Sequence, residues 1–175
     1  MFLLLVIISI ILIYFAISCF LLQKEINKIR IAQQELLEAT DKRFKLFKDL
    51  VNRSINLINY EETFLKEIIQ LRSQAQKFKQ ENNYRAAFFF EEKISQLALQ
   101  INTLFNEFPI LNKINESQKI RNDIIAMENE LLQLKNKYNN FIIKYDKLRS
   151  SVFNAPITIL FKKFNKKIEL WKITV

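Results

Sequence analysis

The chain of 175 residues contains no glycine, no histidine, one cysteine and only two prolines. Without glycine it lacks the phosphate-binding loops that need backbone at positive φ or free of a side chain. The absence of histidine removes the commonest general base and metal ligand, and one cysteine excludes an internal disulfide and a multi-cysteine zinc site. Because Pro109 and Pro156 are the sole turn-forming prolines, the tight turns of a sheet are hard to build. The composition therefore favours long helices.

The first residues, 1–22, carry no charged side chain and are followed at once by Lys24, Glu25, Lys28 and Arg30. At 1.5 Å per residue, a helix of this length reaches about 33 Å and spans the hydrocarbon core of a bilayer. The sequence therefore predicts a single-pass transmembrane helix in the cell membrane. Because the basic residues follow the apolar run, the positive-inside rule predicts that the remainder of the chain lies in the cytoplasm.

An alternative concerns Cys19, because Ala16–Ile17–Ser18–Cys19 is similar to a degenerate lipoprotein cleavage box. Ala16 stands where leucine would be expected, and the apolar run is long and has no basic segment before it. A cysteine in an apolar helix also behaves as a small hydrophobic residue. We expect an uncleaved anchor. The alternative is an envelope protein lipidated at Cys19, with an extracytoplasmic helical domain.

The clearest periodic pattern lies late in the chain. Apolar residues alternate at spacings of four and three over more than four heptads: Ile120, Ile124, Met127, Leu131, Leu134, Tyr138, Phe141, Tyr145, Leu148 and Val152. This 3.5-residue period predicts a long helix that packs in a coiled-coil-like seam. Tyr138 and Tyr145 are expected to be buried, with polar partners across the bundle, and Leu134→Asp is expected to destabilise the fold by burying an unpaired carboxylate.

Weaker apolar patterns predict three earlier helices. The first runs from about 24 to 58 and continues the membrane helix, the second begins near Glu61, and the third is lined by apolar residues from Ala87 to Phe105. Asn82–Asn83 marks a possible break between the second and third helices, and one continuous helix is the alternative.

The connection to the last helix is marked by proline. Because proline disfavours the α conformation in the residue before it, Phe108–Pro109 predicts a helix end near Glu107. Either Asn115 or Ser117 is expected to cap the last helix. The predicted fold is all-α: a transmembrane helix at 1–22, an antiparallel up-down four-helix bundle at 23–154, and a basic amphipathic tail at 155–175.

Short motifs recur in a characteristic order in two stretches. The first holds Asp41-Lys42-Arg43, Asp49-Leu50-Val51, Tyr60-Glu61, Leu65 and Leu71-Arg72-Ser73-Gln74-Ala75; the second holds Phe108-Pro109-Ile110-Leu111, Glu128-Asn129-Glu130, Tyr138-Asn139 and Tyr145-Asp146. Together with the preceding membrane helix, they resemble the LemA family of bacterial membrane proteins over nearly the whole chain. The chain lacks the tryptophan usual in that family's first helix, and Tyr60 stands where histidine is expected. The resemblance implies a membrane-anchored antiparallel helical bundle with no established enzymatic activity, and it supplies no catalytic residues.

Carboxylates are the remaining candidates for metal ligands, chiefly the adjacent pairs Glu61–Glu62 and Glu91–Glu92. The two members of each pair point to different faces of a helix, and no histidine completes the Glu-x-x-His pattern of di-iron bundles. We interpret both pairs as solvated surface. The sequence thus predicts no catalytic residue, no cofactor and no metal site, and the protein is not expected to be an enzyme.

The tail at 155–175 carries five lysines and one glutamate, interleaved with large apolar residues such as Phe161 and Trp171. It is either a membrane-surface segment or a tail that packs on the bundle. Nucleic-acid binding is another interpretation of the net charge of +9, but no basic face with accessible aromatics is evident. We expect an interaction or scaffold protein whose partners are the lipid membrane and other proteins, with neither nucleic acid nor a small-molecule substrate.

Overall fold

The computed structural model describes residues 1–54, 61–165 and 167–171, and within these ranges the side chains except those at 51, 53, 54 and 61–65. The described residues contain helices and no strand, so the predicted all-helical fold is confirmed. The helices are α1 (Phe2–Ser54), α2 (Glu61–Gln80), α3 (Tyr84–Leu99), α4 (Ile101–Glu107), α5 (Pro109–Asn112), α6 (Asn115–Arg149), α7 (Ala155–Leu160) and α8 (Lys162–Asn165).

Helix α1 is one continuous element of 53 residues. It contains neither glycine nor proline, the two residues that most readily interrupt a helix. The prediction that the membrane helix continues without a break past residue 24 is therefore confirmed. The expected continuation to about residue 58 lies partly outside the described residues, as do the side chains of Glu61–Glu62.

The break at Asn82–Asn83 is present, so the alternative of one continuous helix is wrong. Asn82 has φ = 56°, in the left-handed region that asparagine tolerates better than most residues. The Asn83 side chain then caps α3 by accepting a hydrogen bond of 3.3 Å from the backbone N–H of Ala86. Helices α2 and α3 pack against each other on either side of this turn.

The connection before α6 starts where it was predicted to start, after a helix end at Glu107. Helix α4 ends at Glu107, and Pro109 occupies the first turn of α5, where its missing N–H costs nothing. Helix α6 begins at Asn115, so both cap candidates, Asn115 and Ser117, lie inside its first turn. One interruption was not predicted: Gln100 separates α3 from α4.

The described chain divides into two compact units. The terminal unit contains Met1–Gln34 and Lys137–Leu170, and the central unit contains Glu35–Asn136 together with Trp171. The central unit has a continuous apolar core formed by Phe47, Leu50, Ile68, Ile94, Ala98, Ile101, Leu104, Phe105, Leu111, Ile120 and Ile124.

The predicted seam of α6 is correct along one of its two rows. In the row that contains Ile124, the residues Leu131, Tyr138 and Tyr145 are also buried, whereas in the other row Ile120 is buried and Met127, Leu134, Phe141 and Leu148 are half-buried. Lys135 and Ile142 are buried instead, because a straight helix of 3.6 residues per turn drifts relative to a 3.5-residue repeat. Val152 lies beyond the helix end and is 87% exposed, so its assignment to the seam is wrong.

Within the terminal unit, the C-terminal tail packs on the second half of α6. The Tyr145 hydroxyl donates a hydrogen bond of 2.9 Å to the carbonyl of Phe164, and the Tyr138 hydroxyl donates one of 3.2 Å to the carbonyl of Glu169. Both tyrosines are buried as predicted, but the hydrogen-bond partners described for their hydroxyls are backbone carbonyls of the tail rather than polar side chains across a bundle. Burial also raises the pKa of the Tyr145 hydroxyl.

Candidate functional site

Glu91 and Glu92 are both buried in α3, so the interpretation of this pair as solvated surface is wrong. Glu91 lies on the apolar stripe of the helix, because Ala87, Glu91, Ile94 and Ala98 follow one another at spacings of four, three and four. A buried carboxylate is tolerated only when charged or polar partners replace its water. The central unit supplies such partners to both residues.

Three cations converge on the Glu91 carboxylate. Arg43 of α1 donates from Nη2 to Oε2 at 2.6 Å, and Lys79 of α2 donates from Nζ to Oε1 at 2.7 Å. Arg72, also on α2, donates from Nη1 to the same Oε1. One buried carboxylate of α3 thereby holds side chains from two other helices.

The network is completed by partners that balance its charge. Arg43 Nη1 reaches Glu128 Oε1 of α6 at 2.9 Å and Ser95 Oγ at 2.6 Å, and Arg72 Nη2 pairs with Asp41. The network therefore contains three carboxylates and three cations, and Lys79 is the third cation beside the two arginines. We call the six charged residues Asp41, Arg43, Arg72, Lys79, Glu91 and Glu128 the charge network.

The electrostatics of the charge network are set by burial and by its internal pairing. Burial alone would raise the pKa of the Glu91 carboxyl, but the attraction of Arg43, Lys79 and Arg72 outweighs it, so this pKa lies below its ordinary value of 4.5. Burial lowers the pKa of the Lys79 ammonium, and the attraction of Glu91 offsets only part of that effect. Glu91 is therefore held in its charged form in the folded chain.

The lowered pKa of Glu91 predicts an acid-dependent stability. The unfolded chain takes up the proton near pH 4.5, whereas the folded chain takes it up at lower pH, so Glu91 stabilises the fold above about pH 4.5 and this contribution is lost as the pH falls through the lowered pKa. We expect the thermal midpoint, followed by far-UV circular dichroism, to decline below that pH. In a Glu91→Gln variant the thermal midpoint should fall less steeply with pH, because the group that titrates is absent. If the midpoint of the variant fell with pH as steeply as that of the unmodified chain, Glu91 would not be the cause of the decline.

Glu92 forms a second cluster with different partners. Lys135 Nζ of α6 lies 2.7 Å from Glu92 Oε2, and the indole Nε1 of Trp171 donates a hydrogen bond of 3.0 Å to the same oxygen. The Trp171 ring stacks on Phe88 with a centroid distance of 4.2 Å, and Lys135 Nζ lies 5.1 Å from the Trp171 ring centroid. Trp171 is 1% exposed. It packs inside the central unit and does not lie at a membrane surface.

Trp171 is the one tryptophan of the chain, so its fluorescence reports on this cluster alone. We expect an emission maximum that is blue-shifted relative to the denatured chain and weak quenching by acrylamide, because the ring is buried and contacts Phe88 and Lys135. A Phe88→Ala variant should increase the quenching, whereas Phe89→Ala, which removes an exposed neighbour, should not. Strong quenching of the unmodified protein would contradict the packing.

The motifs of the sequence contain most of the charge network. Asp41, Arg43 and Arg72 belong to the first stretch of motifs and Glu128 to the second. The two arginines contact Glu91, whose burial was not predicted, and they pair in turn with Asp41 and Glu128. The spacing of Glu91 within the stripe of α3 is the signal that would have found it. In the described ranges, no three Cys, Asp or Glu side chains are arranged to hold a metal ion.

These features define a class: an all-helical protein with a long apolar N-terminal helix and a buried, charge-balanced network joining four helices. The model of the LemA family matches residues 32–173, which is most of the chain. The chain therefore belongs to the LemA family, as the motifs indicated. No curated protein and no solved structure matches it.

Proposed function

We propose that this chain is a single-pass membrane protein whose cytoplasmic helical domain serves as an interaction or scaffold module. The observation that carries the membrane anchor is the exposure of α1: Leu3, Leu5, Ile8 and Ile13 are 44–75% exposed. A core helix of a soluble protein buries such side chains, whereas a lipid-facing helix leaves them uncovered by protein. Among the described residues, α1 is the helix long and apolar enough to cross a membrane.

The domain attached to this anchor is proposed to be an antiparallel four-helix bundle with coiled-coil-like packing. The charge network supports it, because its side chains come from α1, α2, α3 and α6 and meet at one point. Salt bridges with defined partners fix which helix faces select one another and in which register. Such a rigid domain presents a constant surface to protein partners.

The pairing of the buried carboxylates with cations favours a role as scaffold rather than enzyme. The carboxylates of Glu91 and Glu92 are buried and paired with cations of other helices, an arrangement that stabilises a fold. We propose no catalytic step for this chain. A turnover that disappears when a single Glu, Lys or Tyr is replaced would contradict the proposal.

The anchor is tested by placing charges in its centre. Each arginine at the middle of a span costs about 2.5–3.5 kcal/mol in insertion free energy, so Ile8→Arg/Ile11→Arg should move much of the protein out of the alkaline-carbonate-resistant membrane fraction. Ile31→Arg is the matched control, since Ile31 is 56% exposed on the same helix beyond the span. If the double variant stayed fully in the membrane fraction, α1 would not be the anchor.

The side of the membrane is tested with a reporter fused after the last residue that is active on one side only. We expect a cytoplasmic signal, because Lys24, Lys28 and Arg30 follow the span. An external signal would favour the second candidate, a protein lipidated at Cys19. Metabolic labelling with a fatty acid, compared between the unmodified chain and Cys19→Ser, then decides between an inverted span and a lipid anchor.

A further inference from the structure

The segment after α6 exposes apolar side chains and buries polar ones, the reverse of a solvated turn. Val152 and Phe153 are 87% and 76% exposed, whereas Asn154 beside them is 5% exposed. Asn154 Nδ2 donates a hydrogen bond of 2.9 Å to the carbonyl of Leu148 and contacts Ser151 Oγ at 3.0 Å. The polar side chain thus holds the turn from within, and the apolar side chains face outward.

Helix α7 and the residue after it continue this surface. Ile157 and Thr158 are buried, and the outward positions Ile159, Leu160 and Phe161 are 76%, 64% and 43% exposed. Lys162 and Lys163 follow directly and are also exposed. We call Val152, Phe153, Ile159, Leu160, Phe161, Lys162 and Lys163 the tail patch. Large apolar side chains exposed in one short segment indicate a contact surface.

The tail patch belongs to the same compact unit as the apolar run of α1. On α1 the residues from Phe2 to Ile13 are exposed, and the first buried ones are Ser18 and Leu22. This unit consists of Met1–Gln34 and Lys137–Leu170, and on its first stretch the buried positions begin only after the exposed apolar run. The tail patch is thereby held in the same unit as the proposed span.

We propose that the tail patch docks on the anionic surface of the membrane that α1 spans, with its apolar side chains in the interface and its lysines at lipid phosphates. This proposal rests on the proposed membrane anchor. Apolar side chains flanked by lysines have the composition of interfacial segments, and an anionic leaflet attracts each lysine close to it.

The test uses the full chain with Cys19→Ala, reconstituted in vesicles of phosphatidylcholine and phosphatidylglycerol. Single cysteines at Phe153 and Leu160 carry an environment-sensitive fluorophore, which brominated acyl chains quench on contact. Phe20, 67% exposed in the span, is the positive control. Leu132, 44% exposed and 17 residues before the end of α6, is the negative control.

We expect strong quenching at the two tail positions and at Phe20, and none at Leu132. Lys162→Glu/Lys163→Glu should lower the docked-to-undocked ratio at the tail positions by roughly tenfold or more in anionic vesicles and leave the Phe20 label unchanged. Tail labels quenched no more than Leu132, with Phe20 quenched, would overturn the docking alone. An unquenched Phe20 label would overturn the anchor as well. Tail labels that shift to the blue with protein concentration but are not quenched would show a second copy of the chain on the patch, and would also overturn the docking.

Discussion

Replacing Glu91 by glutamine is expected to lower the unfolding free energy of the helical domain by about 3–5 kcal/mol. The glutamine keeps the shape of the side chain but removes the negative charge that Arg43, Arg72 and Lys79 share. Three cations then face the two remaining carboxylates, and one charge is left without compensation beside the buried Arg43 and Arg72. The thermal midpoint in detergent, measured by far-UV circular dichroism, should fall by roughly 10 °C.

Glu130→Gln is the matched control, because Glu130 lies exposed on α6, two residues from Glu128. It should change the unfolding free energy by less than about 0.5 kcal/mol. A double-mutant cycle with Arg43→Gln separates ion pairing from packing: the two substitutions together should cost clearly less than the sum of their separate costs. Additive costs, or equal midpoints for Glu91→Gln and Glu130→Gln, would show that the network does not stabilise the fold.

Leu131→Asp is the second substitution with a large expected effect. Leu131 is fully buried in the seam of α6, where an aspartate would lose contact with water. Burial of an unpaired carboxylate and loss of the apolar side chain should destabilise the domain by about 4 kcal/mol or prevent folding. Limited proteolysis and far-UV circular dichroism of the purified protein would report the loss of stable helix.

The neighbouring Leu132→Asp is its control, since Leu132 is 44% exposed on the same helix. It should cost about 0.5–1 kcal/mol, mainly through the lower helix propensity of aspartate. Leu134→Asp, the substitution that the sequence pattern suggests, should fall between the two because Leu134 is half-buried. Equal effects at Leu131 and Leu132 would mean that the seam does not face a core.

The helix breaks at Asn82–Asn83 and before Pro109 were predictable because local chemistry sets them. Pro109 ends a helix whatever packs around it, Asn82 accepts a left-handed backbone, and the absence of glycine leaves α1 uninterrupted. The break at Gln100 was missed, since glutamine is a good helix former and has no local signal for an interruption. The apolar spacing of α6 predicted which side of the helix is buried. It did not predict which residues on that side are fully buried, because a spacing pattern locates an apolar stripe but not its centre.

The charged residues show where sequence reasoning ends. Two adjacent glutamates are expected at the surface because their side chains are charged. Only the packing of the helices shows that cations lie close to Glu91 and Glu92, namely Arg43, Arg72, Lys79 and Lys135. Likewise the phenolic hydroxyls of the seam needed partners, but the sequence did not identify the tail carbonyls as the acceptors. These pairings join residues 12 to 85 positions apart, so no local pattern contains them.

The sequence by itself determined the helical class, the long apolar N-terminal helix, the helix ends at Asn82–Asn83 and before Pro109, and the LemA family, because each depends on residue type, short-range spacing or motif order. Only the tertiary structure decided that Glu91 is the centre of a buried charge network, that Trp171 packs on Phe88, and that Val152 lies on an exposed apolar patch. The physical reason is that burial is a property of the neighbours a residue acquires on folding. A charge or a ring is placed inside or outside by partners that are distant along the chain.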